Sequence, residues 1–218
     1  MANIAGPYVP LNNLVLTLDP RNTKCWNQSG STAVNQIDNS GVSLSNITLG
    51  SQTSFNNNAS GAIQTSNSYN LSLLAGCTVV QWLNLTSRAG GTFNYSSAPQ
   101  NIFLYMGGGT AMQWSTYQTS GTLNSNTTVP LNTWHMWAAT FSGAVTNGGS
   151  GTSNIYYNGI LDNTGTVNGT VSQNAVFQVG IYSAPCQGNI GPTMFWNRAL
   201  SAAEIRSVFQ SHRSYYGI

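Results

Sequence analysis

A chain of 218 residues, 40% hydrophobic and 11% aromatic, has the material for one sizeable core, and all-β sandwiches and barrels reach this length as a single domain. Only 5% of its residues are charged, against about 25% in an ordinary soluble domain. The net charge of +2 is too small, and Arg21, Lys24, Arg88, Arg198, Arg206 and Arg213 are too scattered, to neutralise a run of phosphates, which argues against nucleic acid as a partner.

The chain opens on a Pro-containing arm over residues 1–12, in which Gly6, Pro7 and Pro10 interrupt any apolar run and no basic residue occurs. No export signal is therefore expected. The arm is too short to fold alone, so the body of the domain or a neighbouring chain should hold it, and Ile4, Pro7, Tyr8 and Pro10 are its candidate assembly contacts. Residues 13–218 are expected to form one domain, with no internal repeat or linker. Its first strand is Asn13 to Leu18.

Residues 19–61 are rich in Asn, Ser and Gly and predict strands separated by long loops, with a strand at Val42 to Leu49 and turns at Asn39-Ser40-Gly41 and Asn56 to Ser60. Thr78 to Leu85 is apolar on both alternating faces and predicts an internal strand. Asn101 to Met106 and Ala111 to Tyr117, split by Gly107-Gly108-Gly109, suit a hairpin. Trp134 to Ser142 is a second strand covered on both sides. Asn154 to Tyr157 runs into Asn158-Gly159, a strong hairpin signal, and Ile160-Leu161 returns. Val176 to Tyr182 and Ile190 to Trp196 complete the set. Ser201-Ala202-Ala203-Glu204 is a capping box, and Ile205, Val208 and Phe209 form the buried stripe of a short carboxy-terminal helix.

Trp134-His135-Met136-Trp137-Ala138-Ala139-Thr140-Phe141, then Ile155 to Gly159, then Gly188 to Pro192, and Phe195 to Ile205 in that order resemble the second half of a laminin G-like domain of the concanavalin A-like lectin and glucanase superfamily. Upstream, Leu14 to Asp19 with Trp26 resembles the opening of the versions common in bacteriophage virion proteins. The resemblance implies an all-β, antiparallel two-sheet jelly roll used mainly to bind sugars or proteins. It departs from the family's calcium-binding members, since the corresponding loop, Phe55-Asn56-Asn57-Asn58, offers amides where a hard cation wants charged oxygens. It departs also from the glucanases, which carry acids at alternate positions of one strand.

The chemistry-bearing residues are few. Glycoside hydrolysis needs two facing carboxyl groups, yet none of Asp19, Asp38, Asp162 and Glu204 lies within ten residues of another. His135, in an apolar strand, and His212, near the helix end where a cation is favourable, read as structural, and no GxSxG elbow accompanies them. No catalytic residue, metal or cofactor is expected. Cys25, Cys77 and Cys186 lack zinc or disulfide spacing and read as buried free thiols of a protein folded in a reducing cytoplasm. Sugar rings stack on aromatic faces, which makes Tyr105, Trp114 and Tyr117 the candidate carbohydrate site, with core or subunit packing as the alternative.

Roughly a third of the chain is Asn, Ser and Thr, so its surface hydrogen-bonds well but carries little long-range repulsion between copies. The expected function is that of a non-enzymatic surface subunit of a bacteriophage particle, a capsid decoration, fibre or tail-associated protein. It would contact itself as a homo-oligomer and other virion proteins such as the major capsid protein. A carbohydrate-binding lectin or host-recognition adhesin is the alternative. No stretch approaches 18 uninterrupted apolar residues, so no membrane-spanning helix is expected.

Overall fold

The computed structural model describes residues 7–70, 76–97, 100–106, 109–116, 121–143, 149–169, 174–182 and 184–218. The strands are Leu14–Leu18 (β1), Thr32–Val34 (β2), Gly41–Leu49 (β3), Phe55–Thr65 (β4), Gly76–Leu85 (β5), Gly90–Ser97 (β6), Gln100–Met106 (β7) and Ala111–Ser115 (β8). They continue as Leu123–Thr128 (β9), His135–Ser142 (β10), Gly149–Tyr157 (β11), Ile160–Gly169 (β12), Val176–Val179 (β13), Ile181–Tyr182 (β14), Ala184–Pro185 (β15) and Gln187–Trp196 (β16). One helix, Ala202–His212 (α1), and a 3-10 turn, Arg213–Tyr216, close the chain.

Eleven of the strands run in the order β12-β11-β10-β5-β16-β4-β13-β6-β7-β8-β9, with β1 paired to β16, β2 to β3, β3 to β4, β14 to β15 and β15 to β6; among the described residues the pairing is antiparallel except for a bridge between Pro185 and Gly91. The sheet is folded over as an antiparallel sandwich that nearly closes into a barrel. Strand β4 carries the turn from one layer to the other, because its start pairs with β16 and its end with β13. On the far side the barrel is pinned by Asp162, which accepts from the Asn126 amide at 2.6 Å and the Thr127 amide at 3.1 Å, and by the Asn163 side chain donating to the Asn124 carbonyl.

Both strands expected to be covered on two sides are so covered. The inward residues of β5 and β10, among them Val79, Leu83, Trp137 and Phe141, join the core between the layers. Their outward neighbours Val80, Trp82, Met136 and Ala138 form a second core with Trp196, Ile205, Val208 and Tyr216. The helix therefore roofs the outer face of the sheet. Trp82 lies between Phe209, stacked at 5.6 Å, and Tyr216, stacked at 4.6 Å.

The capping box is formed: the Glu204 amide donates to Ser201 Oγ, and the Ser201 amide donates to the Glu204 carboxylate at 2.8 Å. Ser201→Ala is expected to lower stability by about 1 kcal/mol, since it orphans a helix N-terminal amide; urea titration of the two proteins checks this. The hairpin signal holds as well. Asn158 and Gly159 take φ 49° and 77°, as a two-residue primed turn requires, and the turn rests against the Phe209 ring.

The described part of the arm, from Pro7 on, is held by the body of the domain. Trp196 Nε1 donates to the Pro10 carbonyl at 2.7 Å, and Ser207 Oγ accepts from the Tyr8 amide and donates to the Tyr8 carbonyl. Pro10 is buried, Pro7 and Tyr8 are exposed, and Ile4 lies outside the described residues.

One expectation fails in this region. Asn56 to Ser60 is not a turn but part of β4, paired with both β3 and β16. Its turn-like composition marks a bulge: Ser45 pairs with Ala62 while Ile47 pairs with Asn57, so on the β3 side the β4 residues Asn58 to Gly61 face the single Asn46. Asn57 closes the bulge by accepting from the Gly61 amide and donating to the Gly61 carbonyl.

Candidate functional site

Each acid has a separate structural task. Asp19 pairs with Arg21 at 2.6 Å, and the Arg21 guanidinium lies over the rings of Tyr215 and Tyr216. Asp38 accepts from the Ser40 amide and the Tyr69 hydroxyl, each at 2.9 Å. Burial alone would push its carboxyl up, but the hydrogen bonds from Ser40 and Tyr69 hold it below the usual carboxylate range. Asp162 is the barrel clasp, which also accepts the Thr127 hydroxyl. Glu204 is lowered to about 2, chiefly by its hydrogen bonds from Arg198.

The imidazoles are equally committed. His135 is buried with Nδ1 3.0 Å from the Thr133 carbonyl, and burial pushes it down to about 4. His212 corrects the reading of a cation at the helix end. Its ring is buried beside Trp82, and burial together with nearby Arg21 lowers its pKa, favouring the neutral form. All three cysteines are free and buried; burial raises Cys25 to about 11 and Cys186 to about 12. Among the described residues no three His, Cys, Asp or Glu side chains gather where they could hold a metal ion.

The two described members of the expected aromatic site, Tyr105 and Trp114, do not meet on one face. Trp114 is fully buried and its indole N–H donates to Ser153 Oγ at 3.1 Å, so it packs the core and has no face to offer a sugar. Tyr105 is half-buried and meets Phe103 edge-on. Strand alternation separates the two: Trp114 pairs with Leu104 and Tyr105 with Gln113, placing their side chains on opposite faces. Tyr117 lies outside the described residues.

What the fold does assemble is a groove of about 280 Å³ lined by uncharged groups. Asn84, Asn189 and Asn56 are cross-strand partners on β5, β16 and β4. Gln187 and Asn58 form the next pair on the same face, and the Thr86 amide donates to the Gln187 carbonyl beside them. Asn58, Thr86 and Gln187 are exposed, and their side chains make no hydrogen bond among the described residues. Asn56 and Asn189 are half-buried, the latter accepting from Ser54 Oγ at 3.1 Å.

Beneath the groove the backbone is fixed. Buried Asn57 donates to the carbonyls of Gly61 and Gly180, each at 3.0 Å. Gly188 has φ +128°, and a Cβ there would come within 2.4 Å of the Asn84 carbonyl oxygen; only glycine fits. The amide runs Asn56-Asn57-Asn58 and Gln187-Gly188-Asn189 are visible in the sequence, but their pairing is not.

The family model of the concanavalin A-like lectin/glucanases superfamily matches residues 56–206. The chain belongs to this superfamily. No curated protein matches it by sequence. Among solved structures, domain 4 of AbnA, an extracellular arabinanase of Geobacillus stearothermophilus, in complex with arabinotriose, superposes with a TM-score of 0.66 at 17% identity, over 90% of this chain and 98% of that one. Trypanosoma rangeli sialidase gives 0.66 at 15% identity, covering 95% of this chain and 34% of that one. The receptor-binding domain of botulinum neurotoxin C/D mosaic serotype gives 0.67 at 15% identity, covering 94% and 54%. The chain thus spans about a third to a half of the latter two, and at these identities the likeness is one of fold.

Proposed function

We propose that this superfamily member is a non-enzymatic surface subunit of a bacteriophage particle, its strands arranged as the two layers of a jelly roll. The observation that carries the non-enzymatic reading is the distribution of ionisable groups: four acids with four different sets of partners and two buried imidazoles. A hydrolytic site needs a proton donor and a base that face one another across the scissile bond. The virion reading rests on the sequence resemblance and on a surface of amides and hydroxyls, which lets copies pack densely against one another and against a protein such as the major capsid protein. Mass spectrometry of purified particles should find the chain as a stoichiometric component; its absence from them ends this reading.

A second reading, a carbohydrate-binding lectin or adhesin, is favoured by the uncharged groove and accords with relatives that carry an arabinotriose or a receptor-binding role. The two are compatible, since a particle subunit can also recognise a host surface.

A further inference from the structure

We propose that the groove between β4, β16 and the end of β5 is a binding site for a neutral, hydroxyl-rich glycan. The proposal rests on the lectin reading and deepens it by naming the ligand class and the residues that would hold it. A hydroxyl is both donor and acceptor, and a side-chain amide offers both in fixed directions. Here Asn58 and Gln187 present such amides as one cross-strand pair, beside a second pair, Asn56 and Asn189, whose amides are each engaged once, with Thr48 and Ser54, the strands being spaced at about 4.8 Å. The Thr86 hydroxyl extends the same surface.

Charge selects the class of ligand. No Lys, Arg, Asp or Glu lines the groove. A carboxylate or phosphate entering it would shed water without gaining a counter-charge, which is unfavourable, whereas a neutral hydroxyl exchanges water for an amide at little net cost. Sialic acids, uronates and phosphosugars are therefore disfavoured.

The floor is rigid. Asn57 is held by its bonds to Gly61 and Gly180, and Gly188 allows β16 to sit close against β5, so the backbone needs no ordering on binding and the cost falls on the exposed side chains. At about 280 Å³ the groove is at the small end of ligand clefts, suited to a short stretch of a longer chain. With no aromatic platform among its lining residues, a single site is weak, and display in many copies would raise avidity.

The test uses the full chain, biotinylated and clustered on streptavidin, on an array of immobilised neutral and anionic glycans, followed by NMR titration of the strongest neutral hit. The comparison variant is Asn58→Ala/Gln187→Ala, which changes two exposed side chains and leaves Asn57 and Gly188 intact; its melting temperature is measured alongside. The expected result is binding to a neutral glycan, insensitive to salt between about 0.05 and 0.5 M, and weakened about tenfold or more in the double variant at unchanged melting temperature. If neutral binding survives in the double variant, or only anionic glycans bind, the groove assignment falls and the lectin reading stands. If no glycan binds, both fall.

Discussion

Trp114→Ala is expected to lower folding stability by about 3–5 kcal/mol, the range for emptying a large aromatic site in a close-packed core. The indole has no exposed surface and lies with Leu104, Met112 and Leu123 in the core between the layers. Its removal would leave a cavity and deprive the buried Ser153 hydroxyl of the indole N–H, a further unfavourable step. Domains of this kind have about 5–15 kcal/mol in all, so the variant should melt far below wild type or fail to accumulate. Trp114→Phe preserves most of the volume and should lose only about 1–2 kcal/mol. Urea titrations of the three proteins decide the point. A Trp114→Ala protein as stable as wild type would mean that the indole is a surface group and that it belongs back among the candidate ligand contacts.

That misplacement shows where sequence reading stops. Residue type and alternation identified β5 and β10 as strands buried on both faces, and identified the hairpin at Asn158-Gly159 and the cap at Ser201, because each of these signals is local. Two strands with no such signal, Gly90–Ser97 and Leu123–Thr128, are rich in Gly, Asn, Ser and Thr, a composition that local reading gives to loops. Asn56 to Ser60 in the long β4 reads as a turn for the same reason, although Asn57 closes a bulge rather than a turn.

The groove was less legible still. Asn58 and Gln187 are partners in the sheet but lie far apart in the chain, and the polar run on each strand alone reads as ordinary solvent-facing surface. Trp114 and Tyr105 erred in the opposite way. They sit on paired strands, and only the register, which sets Trp114 against Leu104, shows that one points into the core and the other away from it.

Acid should destabilise the protein well above the ordinary carboxylate range, and His135 is the reason. In the folded chain its Nδ1 lies against the Thr133 carbonyl, while Nε2 is buried with no partner among the described residues. Protonation would place a second N–H, and a charge, where nothing receives them. Burial accordingly lowers its pKa from 6.5 to about 4. A histidine depressed by folding binds its proton more readily in the unfolded chain, so its contribution is intact above pH 6.5 and is lost as the pH falls toward 4. The loss amounts to up to about 3 kcal/mol.

His212, lowered by burial and by Arg21, acts in the same direction. Glu204, lowered to about 2, responds only below its ordinary value of 4.5; as a partly exposed, screened pair with Arg198 it contributes less than about 1 kcal/mol. The urea midpoint of the wild type should therefore fall between pH 6.5 and 4, most of the fall preceding the response of Glu204. His135→Gln should start lower at neutral pH but decline less over that interval, because the titrating group is gone. If the wild-type midpoint is flat from pH 6.5 to 4, the imidazole has an acceptor or solvent within reach of Nε2, and the strand that carries it is less tightly covered than its apolar neighbours imply.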